Sequence, residues 1–236
     1  MAEAGTDKER ELITNARCVI FDFDGPICQL FAGHPADDVA KDLVSWLDGH
    51  GLRALLTEKE RKYPDPHVVL KAVNERHPRS DLVAELEERL TQQELKAVGS
   101  AQPTAYADPL IRTWRAVGCR LAVAANNSPR TVKAYLAGRG LLDCFDSHVY
   151  GRTSDLDLMK PNPDCLNRAL SAMGGAPVDF LVIGDAAADR EAAGRAGIPF
   201  LGYARNEEKE TLLRAAGAEA VVDSLEPILR QLRAEM

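Results

Sequence analysis

Short apolar segments alternate with amphipathic segments along the second half of the chain. The apolar segments predict β-strands at residues 18–23, 120–125, 147–150, 180–183, 200–203 and 220–222. Helical spacing of apolar residues predicts helices between them, at residues 109–117 and 130–137 and from about residue 164. This alternation is typical of a parallel sheet with helical crossovers. We therefore predict an α/β fold.

The first predicted strand is separated from the second by a long segment that is mostly helical. Helices are predicted at residues 36–50, 65–77 and 80–98, where apolar residues recur at helical spacing, as in Val39, Leu43 and Leu47. No further strand is predicted there. The pattern indicates an all-helical insertion after the first strand.

Composition narrows the classes of function. The 236 residues are 45% hydrophobic, with a formal net charge of −7, so we expect a sizeable core and no nucleic-acid or anionic-membrane partner. The five cysteines lack C-x-x-C spacing, which argues against a disulfide framework or a zinc site. No apolar run is long enough for a membrane span, and the charged start lacks an export signal. We expect a cytoplasmic protein.

The end of the first predicted strand carries two carboxylates, Asp22 and Asp24, followed by a Gly25-Pro26 break. Side chains two residues apart in extended backbone point to the same side. Two negative charges so close repel each other unless a positive charge lies between them. A divalent cation would satisfy both, so the strand end is a candidate metal site.

A second acidic pair follows the strand predicted at residues 180–183. Gly184 permits a tight turn, after which come Asp185 and, one helical turn later, Asp189. Alone, Asp185 would be interpreted as a helix N-cap and Asp189 as a solvated residue. Together with Asp22 and Asp24, the pair predicts a shared ion. Oxygen ligands without nitrogen favour a hard cation such as Mg²⁺.

Lys160 precedes Pro161, which disfavours helical backbone at the lysine. By itself such a lysine is best explained as a surface residue near a helix N-terminus. Four aspartates change that interpretation, because a phosphate could enter such a site only if a positive group accompanied it. Lys160 is the predicted positive group.

Four motifs in this order resemble those of the haloacid dehalogenase-like hydrolases, in particular the phosphoglycolate-phosphatase-like branch. In chain order they are Asp22-x-Asp24-Gly25, a strand ending near Asn126, Lys160-Pro161, and Gly184-Asp185-x-x-x-Asp189. The resemblance covers roughly residues 17–225. It implies a Rossmann-like core formed by residues 1–28 and 99–236, and a helical cap formed by residues 29–98.

The resemblance also implies a mechanism, phosphoryl transfer from a small phosphate ester. Asp22 is the implied nucleophile, which forms an aspartyl-phosphate, and Asp24 is the implied general acid and base. An acid at Asp24 argues against dehalogenation, because a halide leaves without a proton. Mg²⁺ is the implied cofactor. The implied ligands are Asp22, the Asp24 backbone carbonyl and Asp185, with Asp189 as a further ligand or an orienting residue. The implied phosphate-binding residues are Gly25, Asn126 and Lys160.

One position departs from the family pattern. The family's second motif ends its strand with Thr or Ser, whose hydroxyl contacts the transferring phosphoryl group, and this chain has Ala125 there. Ser128 is better explained as the N-cap of the next helix. Loss of a comparable donor costs about 2.7–4 kcal/mol in another hydrolase, unless Asn126 or a backbone amide replaces it. An alternative is therefore a metal-binding relative with weak or no catalysis.

Overall fold

This computed structural model describes residues 2–234. The larger of its two units is built on a parallel sheet of short strands. Unit 1 consists of Met1–Gln29, Pro103–Arg152 and Leu158–Met236, and unit 2 of Leu30–Gln102 and Thr153–Asp157. The predicted cap range, 29–98, leaves out residues 99–102 and 153–157, which cluster with unit 2.

The strands are β1 Cys18–Phe21, β2 Cys28–Gln29, β3 Gln102–Pro103, β4 Arg120–Ala124, β5 Val149–Tyr150, β6 Phe180–Gly184, β7 Phe200–Tyr203 and β8 Ala220–Val222. Six of them form a parallel sheet in the order β5-β4-β1-β6-β7-β8, while β2 and β3 pair with each other. The predicted α/β fold with a Rossmann-like parallel sheet is confirmed. Strand β1 lies between β4 and β6, and its four residues are fully buried.

The α-helices are α1 Ala2–Asn15, α2 Ala36–Gly49, α3 Glu58–Arg61, α4 Pro66–Arg76, α5 Asp81–Val98, α6 Ala107–Ala116, α7 Pro129–Gly138, α8 Asp164–Met173, α9 Ala187–Ala196, α10 Glu207–Ala215 and α11 Glu226–Ala234. Short 3-10 helices occur at Arg53–Leu55, Leu142–Phe145, Leu156–Leu158 and Pro177–Asp179. Helix α1 was not predicted, because its largely polar sequence gives little apolar periodicity.

The core of unit 1 lies between the sheet and its helices. Ile20 and Val182 of the central strands pack in one cluster with residues of α8 and α9, including Ala169 and Ala192. Small residues on the helices allow close approach to the sheet. Continuous burial along β1 and β6 is typical of a parallel sheet covered on both faces.

Unit 2 buries the apolar faces of α2, α4 and α5 against one another. Leu43 and Leu47 of α2 are fully buried, as are Leu70 of α4 and Leu86 of α5. The segment 153–157 joins this unit through Asp157, whose Oδ1 accepts a 2.9 Å hydrogen bond from Asn74 Nδ2. Throughout residues 2–234, each helix is too short or too polar to cross a bilayer.

Candidate active site

Three carboxylates from two separate segments of the sequence meet at the carboxyl edge of the sheet in unit 1. Asp22 follows β1, Asp185 follows β6, and Asp189 lies in the first turn of α9. One oxygen atom from each lies within 4.8 Å of the others. They meet because β1 and β6 are neighbouring parallel strands, whose ends lie at the same edge.

Lys160 lies against two of these carboxylates. Its Nζ donates to Asp22 Oδ1 at 2.7 Å, to Asp189 Oδ1 at 2.5 Å and to the Ala124 carbonyl at 3.0 Å. Only 5% of the side chain is exposed. Burial by itself would lower the pKa of Lys160, but Asp189 and Asp22 outweigh that effect and raise it. The lysine is therefore a fixed positive charge.

One ammonium does not fully neutralise the cluster. Burial raises the pKa of Asp22, and the charge of Asp189 raises it further, so that it reaches about 7 despite the opposing effect of Lys160. The Asp22 side chain nevertheless keeps 12% of its surface exposed, so it is open to a ligand. Three converging carboxylates form an oxygen-only donor set, which fits a hard divalent cation such as Mg²⁺. We conclude that the residues present fit a metal ion.

Asp189 also holds the turn that presents Asp185. Its Oδ2 accepts hydrogen bonds from the backbone N–H groups of Asp185 at 3.1 Å and Ala186 at 3.0 Å. A Cβ at Gly184 would lie 2.5 Å from Asp189 Cβ, so glycine is required there. Asp189 thus contributes structure as well as charge, where the family resemblance left it as either a metal ligand or an orienting residue.

The loop after β1 packs against Asp185. Gly25 has a φ of +130°, and a Cβ there would lie 2.4 Å from Asp185 Cγ. The Gly25 carbonyl accepts a 2.5 Å hydrogen bond from the buried hydroxyl of Thr104, a contact that the sequence did not indicate. Asp24 lies in this loop, half-buried, with its backbone paired to Cys28. Gly25 is therefore needed to fit the loop beneath Asp185.

The end of β4 supports Lys160. Asn126 Oδ1 accepts from the Lys160 backbone N–H at 2.8 Å, and Asn126 Nδ2 donates to the Lys160 carbonyl at 3.2 Å. Ala125, in the slot that resembles the family's Thr or Ser position, is 2% exposed and has no side-chain donor. The amide of Asn126 thus holds the lysine loop, and its contact with phosphate stays a prediction.

A second lysine reaches the cluster from α10. Lys209 Nζ donates to Asp185 Oδ2 at 2.7 Å and to the Asp185 backbone carbonyl at 3.2 Å. Burial raises the pKa of Asp185, and the Lys209 ammonium offsets part of that rise. The sequence pattern did not indicate Lys209 as a site residue. The available signal was a lysine in a helical first turn that otherwise carries Glu207, Glu208 and Glu210.

Curated phosphoglycolate phosphatases resemble the chain over about half of its length. It is 34% identical over 119 residues to a phosphoglycolate phosphatase of Thiobacillus denitrificans, covering 49% of this chain and 50% of that protein. It is 33% identical over 127 residues to a phosphoglycolate phosphatase of Rhodospirillum rubrum, covering 54% and 51%. The chain thus matches about half the length of these curated relatives.

Solved structures share the fold over nearly the whole chain. A predicted phosphatase from Clostridium acetobutylicum has a TM-score of 0.66 at 18% identity, covering 92% of this chain and 97% of that one. A putative phosphoglycolate phosphatase from Lactobacillus delbrueckii subsp. bulgaricus has a TM-score of 0.60 at 20% identity, covering 92% and 98%. The sequence profile of haloacid dehalogenase-like hydrolases matches residues 16–197. The chain therefore belongs to the haloacid dehalogenase-like hydrolases.

Proposed function

We propose that this hydrolase is a Mg²⁺-dependent phosphatase that acts on a small phosphorylated metabolite through an aspartyl-phosphate at Asp22. The observation that carries the proposal is the contact between Lys160 Nζ and Asp22 Oδ1, 2.7 Å long, within a cluster where oxygen atoms of Asp185 and Asp189 lie within 4.8 Å. A carboxylate beside fixed positive charge is suited to attack an anionic ester, because the approach of two anions needs charge cancellation.

The first step is attack by an Asp22 carboxylate oxygen on phosphorus, which breaks the bond to the ester oxygen. Asp24 gives that leaving oxygen a proton. In the second step Asp24 takes a proton from water as the water oxygen attacks phosphorus. The bond to Asp22 then breaks and inorganic phosphate leaves. Gly25, Asn126 and Lys160 are the proposed phosphate contacts.

Asp22, the Asp24 carbonyl, Asp185 and Asp189 are the proposed ligands of Mg²⁺. When bound, the ion supplies positive charge that stabilises the phosphoryl oxygens during transfer. Lys160 holds Asp22 and Asp189 in place through its ammonium group, and Asn126 fixes the loop that carries this lysine. We propose unit 1 as the catalytic core and the helical unit as a cap that selects the substrate.

A second candidate function follows from Ala125. Because this buried residue offers no hydroxyl, the chain could be a relative that binds metal but hydrolyses esters weakly or not at all. This candidate predicts an intact cation site with little turnover.

The test is a panel of small phosphate esters assayed with and without Mg²⁺. The panel begins with 2-phosphoglycolate, because the curated relatives are phosphoglycolate phosphatases. We expect Mg²⁺-dependent turnover that falls by about 10⁴-fold or more in Asp22→Asn, as for nucleophile removal in another covalent hydrolase. Asp143→Asn, at an exposed aspartate, is the matched control and should keep full activity.

The outcomes separate the candidates. Turnover that persists in correctly folded Asp22→Asn protein would rule out Asp22 as nucleophile. Flat rates across the panel, together with Mg²⁺ binding measured by calorimetry, would favour the second candidate.

A further inference from the structure

Lys209 contacts the acidic cluster of unit 1 from outside the motifs already assigned. Its Nζ contacts both the carboxylate and the backbone carbonyl of Asp185, at 2.7 and 3.2 Å. Asp185 is itself one-tenth exposed and packs over Gly25. The lysine therefore binds the same residue that is proposed to bind the cation.

The position of Lys209 is unfavourable for its own helix. It is the third residue of α10, where the positive end of the helix dipole favours acidic side chains, and its neighbours are indeed glutamates. The Asn206 side chain caps the helix by accepting from the Lys209 backbone N–H at 2.9 Å. A cation at this point weakens the helix start slightly, so the favourable partner of Lys209 is Asp185.

The two lysines of the cluster differ in exposure. The Lys160 side chain is 5% exposed and has three acceptors, so it is fixed. The Lys209 side chain is 28% exposed and reaches the cluster from the end of a helix at the surface. A lysine of this kind can withdraw its ammonium into water, because its flexible stem keeps other rotamers open.

We propose that Lys209 is a positioning residue that holds Asp185 until a divalent cation takes its place, and that it thereby sets the cation concentration the site requires. The inference rests on the proposed function, since it takes Asp185 as a cation ligand. The ammonium and the cation compete for one carboxylate and also repel each other. Lys209 therefore weakens cation binding.

The test is calorimetric titration of Mg²⁺ into the metal-free 236-residue chain, at low ionic strength. Removal of one positive charge next to a divalent ion is expected to tighten binding in Lys209→Met on the order of tenfold. Arg214→Met is the matched control. It removes one positive charge from the last turn of the same helix, from an arginine that pairs with Glu210 one turn earlier. This variant should leave Mg²⁺ affinity within about twofold of wild type. Lys209→Arg keeps the charge and should stay near wild type.

Thermal unfolding gives a second readout. Without metal, Lys209→Met should unfold at a lower temperature than Arg214→Met, because Asp185 loses its partner. Saturating Mg²⁺ should reduce that difference, since the ion replaces the missing charge. Binding in Lys209→Met that equals or is weaker than that of wild type overturns the role of Lys209. Absence of Mg²⁺ binding in wild type, or unchanged binding in Asp185→Asn, overturns instead the metal site of the proposed function and the inference with it.

Discussion

The ends of the neighbouring strands β1 and β4 contribute differently to the candidate site, the first a charged side chain and the second contacts to a loop. At the end of β1, Asp22 carries charge toward the centre of the cluster. At the end of β4, Ala125 carries none, and Asn126 uses its amide to hold the backbone of Lys160. The Ala124 carbonyl accepts from Lys160 Nζ as well. One strand end thus supplies the proposed nucleophile, and the other positions the Lys160 ammonium beside it.

The comparison shows that the carboxylate cluster and its paired lysine form although residue 125 offers no hydroxyl. In place of the hydroxyl expected at residue 125, the end of β4 contributes contacts to the lysine loop. These contacts maintain the charge balance among Asp22, Asp189 and Lys160. Whether the charge balance or the missing donor controls the rate can be decided by changing each strand end separately.

The largest effect is expected from Lys160→Met, which removes the ammonium group that contacts both strand ends. Loss of one partner from a buried charge pair costs about 3–5 kcal/mol, so the free energy of unfolding should fall by that amount. Phosphatase activity should fall by about 10³-fold or more, because Asp22 and Asp189 then repel each other and the ester. Denaturant unfolding and steady-state kinetics measure both quantities. Lys133→Met, at an exposed lysine, is the control; equal effects in the two variants would contradict the role of Lys160.

The next largest effect is expected at the proposed Mg²⁺ site, where the acidic strand ends meet. Asp185→Asn keeps the shape of the side chain but removes its charge, so Mg²⁺ affinity should fall by about 100-fold, at the upper end of what loss of a supporting group costs. Calorimetry measures this directly. Treatment of wild type with a chelator should abolish turnover, and added Mg²⁺ should restore it. Turnover that survives chelation would show that the reaction needs no divalent cation.

Ala125→Thr tests the β4 end directly. If the missing hydroxyl limits the rate, threonine should raise kcat by about 10- to 100-fold, a part of what such a donor contributes elsewhere. Ala125→Val is the matched control, because valine has nearly the same shape and no hydroxyl. A gain in both variants, or in neither, would show that the hydroxyl is not what the strand end lacks.

The smallest effect is expected from Asn126→Ala. Two hydrogen bonds to the Lys160 backbone are lost, which should lower the free energy of unfolding by about 1–3 kcal/mol and reduce kcat modestly. The proposed phosphate contact of Asn126 predicts that the kinetic loss persists in full when Lys160→Met is already present. A loss that shrinks in the double variant would instead show that Asn126 acts only by holding Lys160.

Much of the fold follows from local patterns in the sequence. The apolar runs that became β1 and β6 are distinctive because both faces of a central parallel strand are buried. The convergence of Asp22, Asp185 and Asp189 is predictable for a related reason, since ends of neighbouring parallel strands share an edge. Helix α1 was missed because its sequence is mostly polar.

Contacts between residues far apart in sequence account for what could not be predicted. Lys209 meets Asp185 only because the chain crosses from β7 into α10 beside the end of β6. Thr104 meets Gly25 across 79 positions of the sequence, and Asn126 meets Lys160 across 34. Such polar contacts leave no periodic signal, since each depends on one side chain and the path of the folded backbone.

The most direct test of the account is to trap the covalent intermediate. Wild-type protein is mixed with Mg²⁺ and the best ester of the panel, quenched in acid and treated with borohydride, which reduces an acyl phosphate to an alcohol. Peptide mass spectrometry should then find homoserine at position 22, and none in samples without Mg²⁺. Turnover in the same sample with an unmodified Asp22, or with the label at another residue, would contradict the central claim that Asp22 is the nucleophile.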